Sequence, residues 1–263
     1  MITIDSPLRH ERAVLAAGLA AIAVLAWIYI WQGAGMGMSA LAMTTLSLFP
    51  HLQPDVSGQM EDGWLIVIAM WWVMMIAMMT PSAAPLILLY GRVIRHHSGS
   101  GQSTYVPSLM LSAGYLTAWL VFSVAAAALQ KALQPAGFIS EMMLWSRSAN
   151  LSAGVLLAAG LYQFTNVKQA CLAQCRSPVT FLTAHWRPGH LGSFILGLRH
   201  GSFCVGCCWA IMLLLFVGGV MNLIWLAVLT LFVVAEKLLP VGAKFGKWSG
   251  GLLIVWALAT FFV

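Results

Sequence analysis

The sequence predicts an all-α fold: a polytopic helical bundle that crosses a membrane about seven times. Three observations predict it. Hydrophobic residues make up 61% of the chain and charged ones only 8%, against roughly a quarter charged in ordinary soluble domains. Mean hydropathy is +0.89. Several stretches approach the ~20 apolar residues needed to cross a bilayer core about 30 Å thick, where each segment must satisfy its own backbone N–H and C=O groups. Runs such as 13–31 are apolar on every face, whereas barrel strands alternate over ~10 residues.

Taken in order, the spans fall near 13–31, 64–90, 106–129, 151–165, 193–217, 223–239 and 248–263. The first, flanked by Arg9-His-Glu-Arg12, reads as a signal anchor, because its apolar run is too long for the core of a cleaved signal peptide. The second is predicted to break at Pro81 and Pro85, since each proline removes a backbone donor and frees a carbonyl. The fourth is short, so six spans with a re-entrant piece is the competing count. Residues 1–263 read as one transmembrane domain, without internal repeat or soluble domain.

Orientation follows from the basic residues. With the N-terminus in the cytoplasm, the inner segments hold Arg9, Arg12, Arg92, Arg95, Lys168, Arg176, Arg187, Lys237, Lys244 and Lys247, and the outer ones only Lys131 and Arg147. The net charge of +6 is thereby read as membrane sidedness. Nucleic acid is not an expected partner, because the basic residues are divided among short loops and form no stripe with interleaved aromatics.

The strongest chemical signal is Gly197-Leu-Arg199-His200-Gly-Ser-Phe-Cys204-Val-Gly-Cys207-Cys208-Trp209 in the fifth span. On a helix, His200, Cys204 and Cys208 share one face and Cys207 stands beside them. Thiolates and imidazole are soft to borderline ligands, suited to Cu(I) or Zn²⁺. The competing reading makes the thiols small hydrophobic fillers and Gly201 and Gly206 close-packing residues. In the second span, Met70, Met74 and Met78 form one row with Met75 and Met79 in the next. Thioethers select Cu(I) and bind without losing a proton, although a methionine stripe also fills cores.

Glu236-Lys237, at the inner end of the sixth span, is either a boundary anchor or a functional pair in which Glu236 supports His200 or Arg199, or accepts a proton. Cys171 and Cys175 lie between the fourth and fifth spans, in Lys168-Gln-Ala-Cys171-Leu-Ala-Gln-Cys175-Arg176-Ser-Pro178, where their four-residue spacing can place both thiols on one side of a short helix as a soft dock at the cytoplasmic boundary, with His185 and His190 nearby. A cytoplasmic location keeps such thiols reduced. On the outer face, Met36, Met38, Met43, His51, Asp55 and Asp62 either gather metal or belong to an interfacial helix and polar loop. His96 and His97 read as part of a flexible loop.

Trp71-Trp-Val-Met74-Met75-Ile-Ala-Met78-Met79-Thr-Pro81, together with the Lys168–Pro178 and Gly197–Trp209 blocks and Glu236-Lys237, resembles the signature of a bacterial family of predicted metal-binding integral membrane proteins, a domain of unknown function, number 2182. The resemblance covers nearly all the chain after the first span. It implies a bacterial inner-membrane location and a metal role, with no substrate or reaction.

The first functional reading is a Cu(I)-binding membrane protein that transports or delivers copper or helps assemble a metalloenzyme. Its ligands are His200, Cys204, Cys207, Cys208, Met74, Met75, Met78, Met79, Cys171 and Cys175, supported by Glu236, Arg199 and Lys237. Zinc is the alternative metal. The expected partners are the bilayer, the metal ion, and a metallochaperone or membrane metalloenzyme. No ATPase motif is visible, and an enzymatic role is not the expectation. The other readings are thiol–quinone redox exchange through Cys204-x-x-Cys207 beside Trp71, Trp72 and Trp209, haem ligation by His200, and a structural subunit of a membrane complex.

Overall fold

The computed structural model describes residues 5–35, 41–52, 63–98 and 104–263. Ten helices follow one another among them: α1 (Asp5–Trp31), α2 (Trp64–Ser98), α3 (Tyr105–Leu133), α4 (Ala149–Tyr162), α5 (Asn166–Arg176), α6 (Pro178–His185), α7 (Gly189–Leu213), α8 (Leu215–Gly218), α9 (Leu223–Leu238) and α10 (Gly242–Phe262). A single 3-10 turn at Pro50–Leu52 precedes α2. Extended pairing among the described residues is limited to one bridge, Ile139 to Ser146.

Every expected span coincides with a helix, but five segments are long and apolar enough to cross a membrane by length and composition: Glu11–Trp31, Trp64–Arg95, Tyr105–Leu133, Gly189–Gly218 and Lys244–Phe262. The other two fall short. At 1.5 Å per residue the 14 residues of α4 reach ~21 Å and the 16 of α9 ~24 Å, against a core of about 30 Å. Within the connection between the fourth and fifth expected spans, the stretch holding Cys171 and Cys175 forms the short helix α5 that their four-residue spacing allows.

The expected break in the second span does not occur: α2 is continuous with Pro81 and Pro85 inside it. Hydroxyls around the two prolines add hydrogen bonds to carbonyls of the preceding turns. Thr80 Oγ1 donates to the Ile76 carbonyl at 2.6 Å and Ser82 Oγ to that of Met79 at 2.9 Å. The Tyr115 hydroxyl reaches the Met79 carbonyl from α3 at 3.3 Å. Local polar side chains of this kind help an apolar helix to tolerate proline.

Helix ends are set locally. Ser148, Thr165 and Asn222 cap α4, α5 and α9, each accepting from the backbone N–H three residues on, at 3.3, 3.3 and 3.2 Å, as N-cap oxygens do. Pro188 N-caps α7, and Pro178 opens α6 at its first position, where a missing N–H is harmless.

The close contact of α3 with α7 positions the candidate site. A Cβ on Gly197 would strike the Leu111 carbonyl and one on Gly114 the Phe194 carbonyl, while one on Gly201 would come within 2.6 Å of Ala118 Cβ. Leu111 meets Gly197 and, seven residues on, Ala118 meets Gly201, so the two helices run in the same direction with their backbones touching. Gly197 and Gly201, four residues apart, form the small-residue face that permits this. Gly114→Leu or Gly197→Leu is therefore expected to destabilise the fold by ~1–3 kcal/mol or more, read as a lower thermal midpoint in detergent. Gly251→Ala, facing open space, should leave that midpoint unchanged.

Candidate metal centre

Four cysteines from two helices converge. Cys207 Sγ lies 3.4 Å from Cys208 Sγ and 3.9 Å from Cys175 Sγ of α5, and it also donates to the Cys204 carbonyl at 3.2 Å. The three α7 cysteines are at most 1% exposed, so none faces outward from the bundle. All five cysteines are free thiols. The sequence placed Cys171 and Cys175 in a separate dock. Instead α5 lies against α7, and Cys171 Sγ occupies the space over Gly206, 2.8 Å from where a Cβ there would sit. Tyr162, at the end of α4, donates its hydroxyl to the Gly206 carbonyl at 2.6 Å and holds the same level of α7.

Cys204 is surrounded by polar groups. Lys237 Nζ of α9 is 2.8 Å from its sulfur and 3.2 Å from Ser82 Oγ of α2. The Tyr115 hydroxyl is 3.0 Å from the same sulfur. Two helices therefore point polar groups at one α7 thiol, and a third, α2, holds the lysine through Ser82. An ammonium this close is positioned to compensate a thiolate, the form in which cysteine binds metal.

Beside this group lies a second buried charge pair. Lys168 Nζ of α5 stands 2.8 Å from both carboxylate oxygens of Glu236, and neither side chain is exposed. Glu236 thus pairs with Lys168, not with His200 or Arg199 as the sequence suggested. Arg199 is on the exposed side of α7. Adjacent residues of α9 divide the work, Glu236 binding α5 and Lys237 reaching the thiol of α7.

His200 is buried, its ring stacked on Tyr115 at 5.8 Å between centroids and edge-on to Phe181 at 5.0 Å. Its Nδ1 has no hydrogen-bond partner. Met70, Met74, Met75, Met78 and Met79 are completely buried and belong to the same continuous core as the cysteines. The observed link from the row to the thiols runs through Tyr115, whose hydroxyl touches both the Met79 carbonyl and Cys204 Sγ. An apolar cavity of about 220 Å³ between α1, α2 and α3 has Thr80 and Tyr115 in its lining.

At the opposite end of α2, Met43 is buried, and both ring nitrogens of His51 are buried without a partner. Desolvation lowers the His51 pKa from its ordinary value. Met36, Met38, Asp55 and Asp62, with the side chains of His96 and His97, lie outside the described residues. His185 Nδ1 is 3.0 Å from the Phe181 carbonyl.

Among the described residues, no group of three or more His, Cys, Asp and Glu side chains stands ready-arranged around a metal position. What converges is sulfur, in neighbouring pairs. A tetrahedral site with metal–sulfur bonds of ~2.3 Å sets its sulfurs ~3.8 Å apart, close to the Cys175–Cys207 separation. Soft paired thiols suit Cu(I), which does not demand a full tetrahedron. Residues 68–260 match the family model described as PpoB2, copper chaperone. The chain belongs to this copper-chaperone family. The family match begins just ahead of Met70 and takes in the four clustered cysteines, both buried lysines and Glu236. No curated protein and no solved structure matches the chain.

Lys168, Tyr115 and Ser82 are the residues at this centre that sequence reasoning missed as such. Lys168 counted only as a sidedness charge, and its partner is 68 positions away. A usable signal was its place one turn before Cys171 on an 11-residue helix. Tyr115 follows Gly114 directly, the point where α3 comes nearest to α7.

Proposed function

We propose that this chain is an integral protein of the bacterial inner membrane, with its N-terminus on the cytoplasmic side. It accepts Cu(I) at Cys204, Cys207, Cys208 and Cys175 and hands it to a partner protein, either a metallochaperone or a membrane metalloenzyme under assembly. The reading rests on one observation above the others: Lys237 Nζ lies 2.8 Å from Cys204 Sγ inside a cluster of buried thiols. Cu(I) with two thiolates carries one net negative charge, and one ammonium cancels it. That balance matters because an uncompensated charge away from water is strongly disfavoured. Copper-chaperone membership supports the choice of metal. The resemblance to predicted metal-binding membrane proteins and the five long apolar helices support the location.

Each residue has a separate task. The cysteines bind and exchange the ion through neighbouring sulfurs. His200, with an unpartnered Nδ1, is a further donor at the same level. Lys237 neutralises, Tyr115 and Ser82 orient Lys237 and Cys204, and Lys168–Glu236 ties α5, which carries Cys175, to α9.

The test is metal analysis of protein purified in detergent, loaded with Cu(I) under reducing conditions and washed with chelator, with X-ray absorption at the copper edge. Stoichiometric copper with sulfur ligation is expected in the native chain. It should be lost in Cys204→Ser/Cys207→Ser/Cys208→Ser. Native protein that retains no copper after the wash would overturn the reading, as would a triple variant that keeps it.

A further inference from the structure

We infer that copper reaches the thiols along a thioether route built from Met43, Met143, Met221 and Met212, distinct from the methionine rows of α2. The inference rests on the proposed Cu(I) function and adds where the ion enters.

The turn between α8 and α9 gathers the first three. Val220 N–H donates to the Leu144 carbonyl at 3.3 Å, beside Met143, and a Cβ on Gly219 would come within 3.4 Å of the Met143 carbonyl. The same turn ties down the segment after Met43. Leu223 N–H donates to Thr44 Oγ1 at 3.2 Å, and Asn222 Nδ2 donates to the Thr45 carbonyl at 2.8 Å. Three segments distant in sequence thus bring Met43, Met143 and Met221 to one end of the bundle. That end is opposite the one that carries the charged pair Arg95–Glu11, and in the proposed orientation it faces away from the cytoplasm.

Met212 connects this end to the cysteines. Cys204, Cys208 and Met212 are spaced by four along α7 and share one face, ~6 Å of rise apart. The four methionines are 0–8% exposed and lie in the same continuous core as the cysteines. A purely filling role is served as well by leucine, which has similar volume and fewer rotamers to lose on burial. Thioether sulfur takes Cu(I) without giving up a proton. The ion can therefore move along the thioethers with no change of protonation until it meets Cys208 and Cys204.

The experiment follows Cu(I) transfer from a Cu(I)–bicinchoninate complex to the full chain in detergent, by loss of the complex's colour. It compares native protein with Met212→Leu/Met221→Leu and Met43→Leu/Met143→Leu. Met110→Leu, half-buried on α3 and off the route, is the control. Each double variant should load at least tenfold more slowly yet reach the same final copper content with an unchanged thermal midpoint. Native-like loading rates in both double variants would overturn the route while leaving the thiol centre standing. Native protein that takes no copper would instead remove the function on which the route rests.

Discussion

Glu236→Gln should be the most damaging single substitution at this centre, destabilising the fold by ~3–5 kcal/mol, because it leaves the Lys168 ammonium buried without a counter-charge. Neither side chain of the pair is exposed and Nζ sits 2.8 Å from both carboxylate oxygens, so water offers no screening. Gly246 leaves the room that the carboxylate occupies, since Glu236 Oε1 fills the space where a Cβ there would stand, so the near-isosteric glutamine tests charge and not fit. Lys168→Met/Glu236→Leu removes both charges and is expected to restore most of the stability, as replacement of whole buried ion pairs by apolar groups does.

A stability effect alone would not show that the pair positions the site, so the readout includes Cys175. In the native chain Cys175 is held 3.9 Å from Cys207, and mild oxidation should join the two. With α5 detached from α9 in Glu236→Gln, that cross-link should fall and maleimide labelling of Cys175 rise, at a temperature where the protein is still folded. Thermal midpoint and cross-link yield that both match the native protein would remove Lys168–Glu236 from the account.

The sequence was informative wherever one helix decides the outcome. The positions of the apolar helices, the burial of the α7 thiols and of the methionine rows, and the shared face of Cys204 and Cys208 all follow from hydropathy and a period of 3.6 residues. It was uninformative wherever two helices decide together. Nothing in the local pattern at Lys168 points to Glu236, and the spacing within Lys168–Pro178 does not show that α5 turns onto α7 to deliver Cys175. The two prolines of α2 mark a weak place in the ladder, but whether the helix breaks there depends on the packing around it, including a tyrosine that reaches this turn from α3. Length separates the short helices α4 and α9 from the five that are long and apolar enough to cross a membrane, and the starts of the short ones are set by caps at Ser148 and Asn222 that hydropathy does not register.

Lys237 should behave in the opposite way to Glu236, weakening metal retention and sparing the fold. Without copper, Lys237→Met leaves Cys204 free to carry its proton, and a neutral thiol is at ease in an apolar core. The loss of the contacts to Cys204 Sγ at 2.8 Å and Ser82 Oγ at 3.2 Å leaves a hydroxyl and a thiol that still have Met79 and Tyr115 as neighbours. With copper bound, the same substitution leaves the excess thiolate charge uncompensated away from water. Groups that support metal ligands in this way typically contribute 10–100-fold in affinity, and a loss of about that size is expected in chelator competition for Cu(I). Lys237→Arg keeps the charge and should recover a large part of it. Equal copper affinity in Lys237→Met and the native chain would mean that the cation and the metal do not share Cys204, and the ion would then have to be held by the Cys175, Cys207 and Cys208 sulfurs alone.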